Sequence, residues 1–469
     1  MIIEQRCYWK MKLSEYTWPM MRDSMKPYQH QKESTYFKLA NPRCYDLSDL
    51  GTGKTLSSLW AADFLLINQK IKRILIVSPL STLQSVWGSE LYRHFRHRSF
   101  VIAHGPKHVR AAAIASTKEF VIINHDGVVM MERELMAAKF DLIIIDELTA
   151  FKRHTTNRSK SMKRIAQRAK GVWGLTGAPT PNGPIEAYGQ AIVVNPANQM
   201  IPVSYSKYRM KVEYQIAPHL WIPTDNAEKE VFKILQPAIR YERDKCIDIP
   251  PCVYENLIVE FSKEQRQVYD EMKEQLLYEY KQGLITAVNA GVKMSKLLQI
   301  AAGSVKNDDG EILKLDSSNR DEAIWEIFEE SGKRKLIVFA AFRASIEHLV
   351  EFFTKKGAKT ASIFGGTPLH VRSKLIQDFQ DRDLQILVIQ PQSTSHVVTL
   401  TAANIIVWHS LVPSGEVYLQ ANGRITRSGQ TRKQLIYHCI GSQVEKRLLS
   451  ILNSKTKLSA EVLDMFADL

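Results

Sequence analysis

At 469 residues, with 45% hydrophobic and 24% charged side chains, the chain has material for two or three packed units with ordinary globular cores. Its net charge of +14 favours a polyanionic partner over simple solubility. No apolar run is long enough to span a bilayer, the start "MIIEQRCYWKMKLSEY" lacks a secretory pattern, and five scattered cysteines complete no zinc set. A cytoplasmic protein with reduced thiols is expected.

The first half alternates short apolar strands with helical stretches, which predicts an α/β fold built on a parallel sheet. "RILIVSP" (73–79), "EFVIIN" (119–124) and "FDLIIID" (140–146) read as strands, with helical spacing in "SVWGSELYRHF" and "GVVMMERELMAA" between them. After about residue 195 the rhythm breaks. Residues 262–300 read as almost all helix, opened by Ser262 as a cap, and 307–322 as a polar loop. Alternation resumes with "KLIVFAAF" (335–342), "KTASIFGG" (359–366), "QILVIQP" (385–391), "NIIVWHS" (404–410) and "KQLIYHCI" (433–440). The expected organisation is an N-terminal segment 1–24, a first α/β lobe 25–244, and a second lobe 245–469. That second lobe carries a helical insertion at about 262–325 and a C-terminal helix.

"LSDLGTGKTLSS" (47–58) sits between strand and helix. Glycines there let backbone N–H groups approach phosphate oxygens, and the helix N-terminus adds attraction. Leu50, Gly51, Thr52, Gly53, Lys54 and Thr55 are therefore the expected nucleotide cradle. Lys54 reaches the outer phosphates and the Thr55 hydroxyl binds magnesium. Ser48 stands where a strict phosphate loop has its first glycine. In "LIIIDELTAFKR", Asp146 at a strand end suits a second magnesium ligand, and Glu147 suits water activation. "GLTGAPTPN" (174–182), with Thr176 and Gly177, reads as a tight junction after a strand. "YLQANGRITRSGQ" (418–430) reads as a short helix carrying Gln420, Arg424 and Arg427. The two arginines share a face at a spacing of three, and guanidinium groups favour developing phosphoryl charge.

Taken together these segments resemble a superfamily-two helicase or translocase ATPase, of the Swi/Snf-like branch and in a compact form similar to those of bacteriophages. "MKPYQHQ" is similar to that family's adenine-reading segment, with Gln29 as reader and Gln31 as the alternative. "SDLGTGKT" resembles motif I, where the branch commonly has a non-glycine first position, and "IVSPLSTLQSVWGSEL" resembles motif Ia. "DELTAFK", "LTGAPTPN", "LIVFAAFRASIEHL" and "QANGRITRSGQ" resemble motifs II, III, IV and VI. Thr149 replaces the histidine of many relatives, and Ser395, Val397 and Val398 replace family glycines in the segment standing for motif V. The resemblance implies two RecA-like lobes, ATP with Mg2+, catalytic roles for Lys54, Asp146, Glu147, Arg424 and Arg427, nucleotide contact by Gln420, and movement on double-stranded or branched DNA. For a viral chain the compartment is the host cytoplasm.

Two basic stretches are candidates for the nucleic acid: residues 151–171, with eight Lys or Arg and no acid, and "YRHFRHR" (92–98), which mixes bases with aromatics. Two other readings stand beside a DNA motor: an RNA-remodelling ATPase, and a nucleic-acid-binding module with a degenerate ATPase. No wedge or hairpin for strand separation is recognisable.

Overall fold

The computed structural model describes Tyr16, Trp18 and residues 27–217, 220–246, 250, 252–281, 287–306, 311–396, 400–426 and 430–453. A helix follows the last strand at residues 443–453, while residues 454–469, the expected N-terminal segment (apart from Tyr16 and Trp18), Arg427, Val397 and Val398 fall outside these residues. The chain divides into two compact units, the first ending at Asp248 and the second running through Ile249–Ser454.

The first unit holds β1 (Arg43–Asp46), β2 (Ile74–Ser78), β3 (Phe100–Ile102), β4 (Phe120–Asn124), β5 (Leu142–Asp146), β6 (Gly171–Leu175), β7 (Glu213–Ala217), β8 (Leu220–Pro223) and β9 (Ala238–Ile239). Seven of them form a sheet in the order β3-β4-β2-β5-β6-β1-β9, and every pairing is parallel. Parallel strands need crossovers, so helices cover both faces and the strands read as unbroken apolar runs. Alternate residues then enter opposite cores. Leu75, Val77, Ile143 and Ile145 face one core, while Ile74, Ile76, Leu142 and Ile144 face the other. Each such side chain contributes about 1.5–3 kcal/mol on burial. Helices α1 (Gln29–Ala40) and α2 (Lys54–Ile67) flank β1 in the chain and pack on each other. Trp18, with Trp60 of α2 and Tyr36 of α1 against its ring, closes that face.

The second unit repeats the principle with β10 (Cys252–Ile258), β11 (Ser304–Lys306), β12 (Ile312–Lys314), β13 (Leu336–Phe339), β14 (Thr360–Ile363), β15 (Ile386–Ile389), β16 (Ile405–Trp408) and β17 (Gln434–Ile440). Its six-stranded sheet runs β10-β17-β16-β13-β15-β14, again wholly parallel. The fold is thus α/β with two parallel-sheet lobes, as expected. The helical insertion has its own small core, where Phe261, Tyr269, Leu297, Ile300 and Leu315 meet. Its helices are Lys263–Lys281 and Ala287–Ala301, and the Ser262 hydroxyl accepts the Gln265 N–H at the cap.

Three local expectations need correction. The stretch 307–322 is not a loop throughout: β12 pairs antiparallel with β11, and a helix begins at Ser318. The antiparallel pair β7 with β8, strands of five and four residues, was not anticipated either. The helix expected to carry Arg424 ends at Asn422, so Arg424 lies just beyond it.

Candidate active site

Functional groups gather where parallel strands end, and three neighbouring strands end here on one level. Asp46 of β1 and Asp146 of β5 are both in register with Leu175 of β6, which lies between them. The chain leaves these three ends as the glycine loop, the Thr176–Gly177 turn and the Glu147 turn. Segments 128 residues apart in sequence, from Ser48 to Thr176, thereby share one rim of the sheet.

In the loop, Gly51 and Gly53 have φ of 89° and 87°, the left-handed region that glycine enters without cost. A Cβ at Gly53 would also lie 2.1 Å from Gln31 Nε2. Helix α2 starts at Lys54, so its free N–H groups and dipole face the loop. The Lys54 ammonium donates to Ser48 O (2.5 Å) and Asp49 O (2.9 Å), curling back over the entry to the loop. Burial lowers its pKa, and the carboxylates of Asp46, Glu147, Asp49 and Asp146 oppose that shift.

Both members of the acidic pair are half-buried, and Asp146 is firmly held. Its carboxylate accepts Trp87 Nε1–H at 2.9 Å and the Glu147 N–H at 3.1 Å. Burial raises its pKa, and the Trp87 bond and the Lys54 charge pull the other way. Its carbonyl accepts from His125 Nε2 at 2.8 Å, and burial lowers the His125 pKa to about 4, so that imidazole is neutral near pH 7. Glu147 has φ 49° and ψ 61°, a left-handed conformation unusual outside glycine and concentrated at functional turns. Thr149 is buried beneath that turn.

Two straps hold the loop from outside. On one side, His30 Nε2 (2.8 Å) and Gln31 Nε2 (3.3 Å) reach Thr52 O. Gln29 instead points to the exposed face and donates to Glu33 at 2.9 Å, so the geometry puts Gln31, the alternative reader, against the loop. On the other side, the Ser48 hydroxyl accepts the Tyr241 N–H (3.1 Å), Asp49 Oδ2 accepts the Arg243 N–H (3.1 Å), and Tyr241 O accepts the Asp49 N–H (3.0 Å). Ser48 therefore has a physical reason to stand there, since glycine would leave the Tyr241 N–H without its acceptor.

In the second unit, Gln420 is half-buried on the helix Gly415–Asn422 and Arg424 is buried just past its end. The Arg424 carbonyl accepts the Leu400 N–H at 3.0 Å, and Trp408 Nε1 donates to Asn422 at 2.9 Å, fixing the helix end against the sheet. Of the motif V departures, Ser395 falls in the short helix Pro391–His396.

The basic stretches fare differently. Within 151–171, ion pairs engage Lys152 with Glu186, Arg158 with Asp126, Arg164 with Glu132 and Lys170 with Asp141. Arg153, Lys160, Lys163 and Arg168 make no ion pair among the described residues. In 92–98, Arg98 pairs with buried Asp63 (2.6 Å) and Glu119 (2.9 Å), and His97 also meets Asp63, so those bases serve packing. Sequence reasoning missed Trp87, His125, Lys38, Asp46 and Tyr241, because none belongs to the local pattern that marks its partner.

The family described as SNF2-related domain matches residues 47–321, and the helicase conserved C-terminal domain matches 319–429. Protein p41 of Acyrthosiphon pisum secondary endosymbiont phage 1 is 25% identical over 462 residues, 94% of this chain and 98% of that one. The SWI/SNF-related matrix-associated actin-dependent regulator of chromatin subfamily A-like protein 1 of Xenopus tropicalis is 24% identical over 404 residues. The match covers 84% of this chain but 40% of that protein, so the chain spans about two fifths of this longer relative. The DNA annealing helicase and endonuclease ZRANB3 of Bos taurus is 23% identical across 95% of this chain and 41% of its own length. The Sulfolobus solfataricus SWI2/SNF2 ATPase core in complex with dsDNA is 21% identical, with a TM-score of 0.46 over 96% of this chain and 95% of that one. No helix among the described residues is long and apolar enough to cross a membrane.

Proposed function

Because the chain belongs to the SNF2-related family, with a helicase conserved C-terminal domain completing the match, we propose that it is an ATP-driven motor that moves along or remodels double-stranded or branched DNA. The family makes it an ATP hydrolase of the helicase type. One observation supports the chemistry most directly: Asp146 ends its strand and Lys54, Thr176 and Glu147 follow strand ends, and those ends lie in register across three adjacent strands. The name of the bovine relative, a DNA annealing helicase, favours DNA over RNA.

In this reading the N-terminus of α2 and the Lys54 ammonium hold the phosphates, and Lys54 leaves the carbonyls of Ser48 and Asp49 to do so. Magnesium fits the donors present. The Thr55 hydroxyl and the Asp146 carboxylate are hard oxygens, and the described residues contain no group of three or more His, Cys, Asp or Glu that could hold a metal. That suits an ion which takes one or two protein ligands and completes its shell with phosphate and water. Bound there, it would neutralise phosphate charge during transfer. Glu147, held at an angle by its turn, accepts the proton of the attacking water. Gln31 or Gln29 reads the adenine edge, and Arg424, Arg427 and Gln420 serve the nucleotide from the second unit.

A motor that grips phosphates and ignores base edges tracks a duplex without opening it. The expected results are ATPase activity stimulated by duplex DNA and ATP-dependent displacement of the third strand from a triplex. Measuring turnover on single-stranded, duplex and forked DNA and on RNA decides the substrate. Efficient unwinding of plain forks without triplex displacement would overturn the duplex-tracking reading, and stimulation by RNA alone would overturn DNA.

A further inference from the structure

Asp46 is a charge in an unusual place. It ends the innermost run of β1, flanked by Cys44, Tyr45 and Leu47, all fully buried, and is itself 1% exposed. Taking a carboxylate out of water costs several kcal/mol unless its lone pairs are met, and an apolar residue would fill such a position at no such cost. Here every polar atom is engaged. Oδ2 accepts from Lys38 Nζ (2.6 Å) and Ser34 Oγ (2.9 Å) of α1, and Oδ1 accepts the Ser48 N–H (3.2 Å) at the entry to the glycine loop. The main-chain oxygen accepts the Thr176 N–H (3.1 Å). Lys38, 0% exposed, places its three donors on Asp46, Ser34 Oγ (2.6 Å) and Ser57 Oγ (3.2 Å), the last on α2.

Through Lys38 these contacts join Asp46 to four parts of the nucleotide site: α1, the loop entry, the Thr176 turn and the helix behind Lys54. Residue 48 is gripped at both ends, its N–H by Asp46 and its carbonyl by Lys54. We propose that Asp46 and Lys38 are a positioning pair for ATP binding: Asp46 Oδ1 fixes the entry peptide of the phosphate loop, and Lys38 neutralises Asp46 so that its charge does not compete with phosphate for Lys54. The pair touches no substrate and acts through the loop. The proposal rests on the loop's being a nucleotide site.

A purely structural pair and a positioning pair give different results when both charges are removed together, because that replacement is often neutral or stabilising. The test measures equilibrium binding of a fluorescent ATP analogue, together with Tm, on the full chain. Lys38→Met/Asp46→Leu deletes the acceptor for the Ser48 N–H and is expected to keep Tm while weakening binding about tenfold, equivalent to about 1.4 kcal/mol. Lys38→Met/Asp46→Asn keeps a neutral acceptor of the same shape and should restore affinity to within about threefold, the loss of one neutral for one charged acceptor being smaller. Equal affinity in wild type and the Leu variant would show the pair to be structural only. Equal weakening in both variants would overturn the role of Oδ1, as would failure of the Leu variant to fold alongside full loss of affinity in the Asn variant. A wild type that binds no analogue would instead overturn the nucleotide site itself, and the proposal with it.

Discussion

In the proposed site the Lys54 ammonium is the main counterion of the phosphates, so Lys54→Ala is expected to abolish ATP turnover and weaken nucleotide binding. Glu147→Gln should retain binding and block hydrolysis, since only the carboxylate proposed to activate water is lost. Turnover and analogue binding measured side by side separate the two, and parental hydrolysis by Glu147→Gln would refute its role. The pH dependence follows from Asp146. Burial raises its pKa, while the Trp87 bond lowers it. In the proposed role that carboxylate must be ionised to hold magnesium, so turnover is expected to fall on the acid side at a higher pH than an ordinary aspartate, about 3.9, would dictate. Trp87→Phe removes the bond that lowers this pKa, so the acid limb of kcat should move further up in pH; an unmoved limb would mean that Asp146 does not control it. At this scale the sequence was legible where chemistry is local. "GKT" and "DE" announce themselves, but Trp87 and His125 reach Asp146 from 59 and 21 residues away and carry no mark of it. The choice between Gln29 and Gln31 was a matter of helix phase. Two residues turn a helix by roughly 200°, so only one of them can face the loop.

Among the elements, the helix Ala187–Val194 lies against the turn that carries Glu147. A Cβ on Gly189 would stand 2.3 Å from Lys152 O and 2.5 Å from Phe151 O, both backbone atoms that no side-chain rotation can move. Gly189→Ala should therefore destabilise the first unit by about 1–3 kcal/mol, as overpacking does. Denaturant unfolding reads this directly, and an unchanged midpoint would mean the helix shifts freely. The strands of both sheets were legible because buried parallel strands are continuous apolar runs. What periodicity cannot supply is order. Nothing in "RILIVSP" says that β2 sits between β4 and β5, or that β10 pairs with β17 across 182 residues, from Cys252 to Gln434. The hairpin β7–β8 escaped notice for the opposite reason: Glu213, Gln215 and Pro223 dilute its apolar pattern.

For the whole molecule, the roles proposed for Arg424 and Arg427 predict a loss of turnover when either is replaced. Arg424→Ala or Arg427→Ala should lower turnover toward the low end of the about 10³–10⁵ range of arginine fingers, with ATP affinity changing far less. Turnover within about twofold of parent in both variants would remove the two-unit mechanism. The grip on DNA is expected to be electrostatic, so log affinity should fall with log salt at about −0.9 per neutralised phosphate. Arg153, Lys160, Lys163 and Arg168 are the bases of 151–171 best able to supply that grip, and replacing them should flatten the slope, whereas replacing Arg98 should reduce stability instead. The strap on the phosphate loop also has a mechanical meaning. Tyr241 and Arg243 hold Ser48 and Asp49 only a few residues before the chain leaves the first unit at Asp248. The loop entry and residues 241–243 are therefore tied through main-chain groups, so any displacement of Ser48 and Asp49 must stretch those bonds or carry Tyr241 and Arg243 along.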